Sequence, residues 1–254
     1  MPISPVRLTV AATAAALVAF APAAHAAPLY LTSGSYTAND LTYRDSVIHV
    51  GRDSSNNNGS GGVPYVATLN VVNGGNVSTI YNYNTSTVNI SGGIVASSVR
   101  GSESSTTNIT GGDVRRAEGI NNITRISGGS VFDSFAYGTA AFHISGGTLT
   151  KGLFLSDTTA TANFVGTGLS SAYSGYTSNN AAGAAADYFI ISGTFGGVTR
   201  TYDLYIRNRT GTGDNTRRQF TIGTPEVVPE SGTVALLLPA LGVLGAVVAA
   251  RRRK

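Results

Sequence analysis

The chain has 254 residues, with 17 Lys and Arg against 13 Asp and Glu and a formal net charge of +4. It holds 32 Gly, a single Met, no Cys and no Trp, which excludes a disulfide scaffold, a thiol enzyme and a cysteine-ligated metal site. Only 12% of its residues are charged, so it is no coiled coil either, a fold that needs abundant Glu, Lys and Leu.

Residues 1–26 read as a secretory signal peptide. Arg7 gives a basic start, and the apolar run from Leu8 to Phe20 is too short to cross a bilayer comfortably. Ala24 and Ala26 then place small residues where a signal peptidase reads them, so cleavage is expected before Ala27. Downstream, Leu41-Thr42-Tyr43 and Val47 to Val50 have strand composition, and Asp53 to Gly62 (DSSNNNGSGG) is a polar loop.

A repeat follows. Gly-Gly pairs begin at Gly74, Gly92, Gly111, Gly128 and Gly146, and Gly166-Thr167-Gly168 is a degenerate sixth copy. Two residues before each pair stand Val72, Ile90, Ile109, Ile126 and Ile144. Two residues after it stand Val77, Val95, Val114, Val131 and Leu149. Short units rich in β-branched residues, with glycine at every corner, are the mark of a stacked solenoid rather than a helical repeat. The expected fold is therefore all-β: a right-handed parallel β-helix of about 18 residues per coil over residues 27–169.

After residue 169 the composition changes. Ser170 to Ala186 is Ser, Gly, Ala and Asn with little to bury. Phe189 to Phe195 and Val198 to Ile206 then flank Gly196-Gly197, a hairpin signal, and Arg218 to Ile222 reads as one further strand. Residues 170–223 are thus expected to be a loop and a small β cap, since a bare solenoid end would offer edge strands for aggregation. Residues 224–232 form a linker. Thr233 to Ala250 is an uncharged apolar run that as a helix of about 27 Å would cross the hydrocarbon core once. Arg251, Arg252, Arg253 and Lys254 follow it and hold that end in the cytoplasm.

Val228-Pro229-Glu230, the apolar span and the basic tail together resemble the PEP-CTERM sorting signal of exported bacterial proteins. That family typically carries Pro-Glu-Pro; here Ser231 stands in place of the second proline. The resemblance covers residues 228–254. It implies signal peptidase and an exosortase-type membrane protease as processing partners, transient or lasting membrane and surface attachment, and association with exopolysaccharide. The positive charge belongs to these sorting segments: residues 27–231 keep 12 basic against 13 acidic residues. Nucleic acid is therefore not an expected partner.

Chemistry is sparse. There is no phosphate-binding glycine loop and no nucleophile elbow. His49 lies between Ile48 and Val50, and His143 fills the slot held by Asn89, Asn108 and Arg125 in other coils. Both are expected to face outward. A glycan lyase or hydrolase would stack acids on successive coils, but Asp113 and Asp133 occupy different repeat positions. Arg116, Asp133 and Lys151 instead share one position and form an alternating-charge column. Neither catalytic residues, nor a metal, nor a cofactor is expected. Tyr81 and Tyr83, or Tyr173 and Tyr176, offer rings for stacking on sugars, but ordinary half-buried strand tyrosine is the favoured reading, and the lack of any Trp weakens the sugar platform. The reading is a structural or adhesive exported β-solenoid. A glycan-binding or glycan-active β-helix is the alternative, and an autotransporter-like passenger is less favoured because no membrane barrel follows.

Overall fold

The computed structural model describes residues 27–40, 43, 46–57, 59–60, 63–177, 182–183, 185–207 and 219–223. The signal segment, the linker and the apolar span with its basic tail lie outside the described residues. Among those described, the regular elements are all β-strands, and they wind as a β-solenoid of about seven turns at about 19 residues per turn.

The winding has three faces, each a ladder of parallel strands. Face A stacks β1 (Leu29–Leu31), β3 (Val47–Val50), the end of β7 (Asn76–Asn82), the ends of β8 (Thr87–Ser102) and β9 (Thr106–Ile120), β11 (Ser130–Tyr137), β14 (Leu153–Leu155) and β18 (Val198–Ile206). Face B stacks β2 (Ser33–Ala38), β6 (Val66–Val71), the starts of β8 and β9, β10 (Ile123–Ile126), β12 (Ala141–Ile144), β15 (Thr161–Val165) and β19 (Phe220–Gly223). Face C is shorter, and joins the start of β7, the middles of β8 and β9, the start of β11, and β13 (Thr148–Leu149). Seven steps of one strand spacing give a rod about 34 Å long.

Why these residues stack is visible along each inner column. On face B the inward positions are Val71, Ile90, Ile109, Ile126, Ile144 and Phe164, all fully buried. On face C they are Val77, Val95, Val114, Val131 and Leu149. β-branched side chains have restricted χ1 and pack well on a pleated surface, so like sits on like through the middle of each column, from Ile90 to Ile144 and from Val77 to Val131. Each buried Ile or Val contributes about 1.5–3 kcal/mol. The face C column is as the repeat predicts. On face B the first rung differs: Val71, not Val72, pairs with Ile90, because the first Gly-Gly pair enters its corner one residue early. Gly74 has φ +88°, whereas in later pairs the second glycine, Gly93, Gly112, Gly129 or Gly147, has the positive φ.

The glycine corner is a point of closest approach. A Cβ on Gly112 would stand 2.6 Å from the Gly92 carbonyl oxygen of the preceding coil, and the residue also has φ +75°. Steric room and dihedral thus exclude side chains independently. The interior compensates volume between faces: Phe142 of β12 and the Ala140 methyl lie against the space left by Gly119. Asn122 fills the space left by Gly101 and Gly119.

Two excursions leave the winding. Between β3 and β6 the polar loop carries a short hairpin, β4 (Gly59–Ser60) with β5 (Val63–Pro64). Between β15 and β18 comes an antiparallel pair, β16 (Thr167–Thr177) and β17 (Ala186–Phe195). β17 also pairs antiparallel with β18 through the Gly196-Gly197 turn, where Phe195 faces Val198. The hairpin is therefore present, and β18 and β19 still continue the parallel ladders on β14 and β15. The Ser/Gly-rich stretch expected to be a loop is strand as far as Thr177. It has few side chains to bury because it lies outermost on β17, with most of its residues exposed.

Replacing Ile109 with Ala should lower unfolding free energy by about 2–5 kcal/mol. Gly112→Ala should destabilise by at least about 1–2 kcal/mol although it removes no contact. Urea midpoints of the two variants check both, and a neutral Gly112→Ala would contradict the stacked corner.

Candidate functional site

Strand alternation that turns aliphatic residues inward must turn their neighbours outward, so the outer faces carry whatever chemistry the body has. The sorting residues Ala24, Ala26, Val228, Pro229, Glu230, Arg251, Arg252, Arg253 and Lys254 lie outside the described residues. Among the described residues no group of three or more His, Asp and Glu is placed to hold a metal ion.

On face A, Tyr30, His49, Tyr81, Arg100, Glu118, Phe135, Phe154 and Tyr205 form one outward column. Its first part is an aromatic stack. His49 lies 4.7 Å from Tyr30 and 5.1 Å from Tyr81, near-parallel to both, with Tyr83 at 6.1 Å. The Arg52 guanidinium covers Tyr83 at 3.8 Å. Rings stacked along the rod face one another and show their edges to solvent, so Tyr81 and Tyr83 do not form an open sugar platform. Tyr173 and Tyr176 are more exposed, at 54% and 61%. The Tyr173 hydroxyl donates to Asp187 at 3.2 Å, and its ring tilts against Phe189.

The middle of face A is ionic. Arg116 donates to Asp133 at 3.2 Å and pairs with Glu118 at 3.5 Å, and Arg100 approaches Glu118 at 3.9 Å. Asp133, the acid of the expected alternating-charge column, is buried beneath this network. Asp113 faces Ser130 on face C, so the two acids do not stack. The expected third member is missing: the Lys151 ammonium lies 5.9 Å over the Phe132 ring instead. The chain advances between β13 and β14, which leaves Lys151 level with Phe132, whose carbonyl accepts its backbone N–H. Beyond the ionic patch, Phe135, Phe154 and Tyr205 are covered by Ala186 and Tyr188 from the start of β17. Burial and a hydrogen bond to Asp203 push the Tyr188 phenol up to about 12.

Face B carries a different column: Thr37, Asn70, Asn89, Asn108, Arg125, His143, Asn163 and Thr221. The amides form a ladder. Asn108 donates to Asn89 and Asn89 to Asn70, each at 2.9 Å, and Asn70 continues to Ser35 at 3.2 Å. At the far end Thr221 donates to Asn163 at 3.0 Å. Arg125 and His143 interrupt this line on adjacent rungs. Around them lies a groove of about 530 Å³, lined by Asn89, Asn108, Thr110, Arg125, Ser127, His143, Ile144, Ser145 and Val165. Its lining combines amides, hydroxyls, the imidazole and the arginine with the apolar Ile144 and Val165. None of the ion pairs among the described residues involves Arg125.

Both histidines face outward, as strand alternation requires. His49 is covered by its tyrosines, a stack hidden in sequence because the loop after Arg52 interrupts the repeat between His49 and Tyr81. Burial, then Arg52, holds the His49 imidazole below its ordinary value. Burial, then Arg125, does the same for His143. The groove needed more than a motif: the sequence shows that Arg125 and His143 share a slot, but not that the surrounding surface is recessed.

No family model matches the chain, and no curated protein or solved structure matches it.

With both folded-state values depressed, the two histidines favour folding fully at pH above about 6.5. That contribution is lost as pH falls through their folded-state midpoints. NMR titration of His49 and His143 should give midpoints under the free-imidazole value. Midpoints at or above it would mean that the rings are not covered as described.

Proposed function

We propose that this chain is an exported structural or adhesive β-solenoid, anchored at or released from the bacterial surface and associated with the extracellular polysaccharide matrix. The observation that carries the reading is the outer surface of face B. Coil after coil presents Thr, Asn and Ser in register, with a hydrogen-bonded amide ladder running along it. Such a surface is hydrated and nearly uncharged, and it repeats at the strand spacing, which suits repeated weak contacts with a polymer that itself repeats. Avidity then arises from number rather than from one tight pocket. The handedness proposed is right-handed, in line with the strong preference of parallel β crossovers.

The sequence layout supports the cellular part of this reading. A signal segment over residues 1–26 directs export. The PEP-CTERM-like order of Val228-Pro229-Glu230, apolar span and Arg251 to Lys254 supplies a membrane stop and a cleavage region for an exosortase-type protease. A glycan-active enzyme is the weaker alternative, because its best-placed acid, Asp133, is committed to Arg116.

In the native host, cell fractionation should find the full chain in the envelope or at the surface, and a chain truncated after Gly223 should pass into the medium. Equal envelope retention of both forms would sink the sorting assignment. In a reducing-end assay on polysaccharide, the protein should release no new ends. Release that is abolished by Asp133→Asn would replace the structural reading with the enzymatic one.

A further inference from the structure

The face B groove differs from the rest of that face in one respect: its amide ladder is replaced on two adjacent rungs by a cation and an imidazole. We propose that this groove binds an extended, carboxylate-bearing polysaccharide, with a uronate carboxylate on the Arg125 guanidinium and neighbouring sugar hydroxyls on His143, Asn108 and Ser127. The inference rests on the matrix-associated reading above and gives it a location and a ligand class.

Four observations carry it. The guanidinium forms no ion pair among the described residues, and it stands exposed at the groove. A guanidinium presents a planar fork that matches a carboxylate with two parallel hydrogen bonds. The flanking groups on these and the preceding rungs are amide, imidazole and hydroxyl, which donate and accept in the way sugar hydroxyls require. The groove of about 530 Å³ falls within the usual range for small-ligand sites, and its lining draws on five successive coils, from Asn89 to Val165, so an extended ligand meets it along the rod.

The charge count selects among anions. Burial and Arg125 hold His143 below its ordinary value, so near pH 7 the groove offers one cation. Polynucleotides and heavily sulfated polymers are held by many cations acting together. One guanidinium among hydrogen-bonding groups instead suits a polymer held at one carboxylate and otherwise through its sugar hydroxyls.

The slot also supplies a clean variant. Asn is the resident side chain at this position in the coils before and after the pair, so Arg125→Asn extends the native ladder toward Asn108 rather than leaving a gap. Arg125→Lys keeps the charge and loses the fork. The full-length protein in neutral detergent would be tested by affinity electrophoresis through gels containing polygalacturonate, its methyl ester, or dextran. Polygalacturonate should retard the wild-type chain most. Arg125→Asn should weaken that binding about ten- to hundredfold, at an unchanged unfolding midpoint, with Arg125→Lys between the two. Wild-type affinity for polygalacturonate in Arg125→Asn overturns the proposal. Equal retardation by all three polymers also overturns it, while leaving the broader matrix-associated reading in place. Retardation by none overturns it as well, and the broader reading then falls too if the protein also fails to co-purify with extracellular matrix from its host.

Discussion

Everything in this molecule depends on the hydrogen-bonded stacking of each coil on the one before it at one strand spacing, which fixes the register within each face and leaves irregularities to the corners between faces. A parallel ladder satisfies backbone donors and acceptors only by adding another turn. Once that spacing is set, each side chain lies directly above its counterpart one turn earlier. Identical residues then form columns, and the interior becomes Ile on Ile and Val on Val. The same constraint forces the corners. Where the backbones of consecutive coils meet most closely, a positive φ and the absence of a Cβ are needed together, and Gly112 beneath the carbonyl of Gly92 shows both.

The outer surface obeys the same rule with different consequences. Stacking identical polar residues is favourable when they are amides, because each can donate to the next, as Asn108, Asn89 and Asn70 do. Stacking identical charges would be repulsive. On face A the charged rungs therefore alternate in sign, with Arg100 against Glu118 and Arg116 against Asp133. Such surface pairs contribute little each, about 0–1 kcal/mol, but they fit the register without penalty. Arg125 on face B has no acid on either adjacent rung: its neighbours above and below are His143 and Asn108, and its side chain is exposed.

Termination is the difficulty of any solenoid, since the last coil exposes an edge. Here the chain leaves the winding after β15, forms β16 and β17, and returns to lay β18 and β19 on the ladders. Antiparallel β17 then covers β18, which otherwise would be the parallel edge. The start of β17 also folds over the outer aromatic cluster of Phe135, Phe154 and Tyr205. One excursion thus pairs the last strand of face A and buries apolar rings that the repeat left on its outside.

Much of this was legible from residues alone, because a period with β-branched columns and glycine corners admits few architectures. The inner column of Val77, Val95, Val114, Val131 and Leu149 and the Gly196-Gly197 hairpin were readable directly, as each is set by local chemistry. The outward direction of both histidines followed from alternation in the same way. The shift from Val72 to Val71 was not readable, since it depends on which glycine of the first pair takes the positive φ. Nor was the loss of Lys151 from the charged column, or the stack of His49 between Tyr30 and Tyr81, because insertions between coils change the count without changing the pairing. Composition and period by themselves determined that the chain would wind, which side chains would face in, and that its excess positive charge lies at its ends. Tertiary structure alone decided that Arg125 and His143 share a recessed surface and that Asp133 is paired with Arg116. Recess and ion pairing depend on distances across coils, and the linear order of residues does not contain those distances.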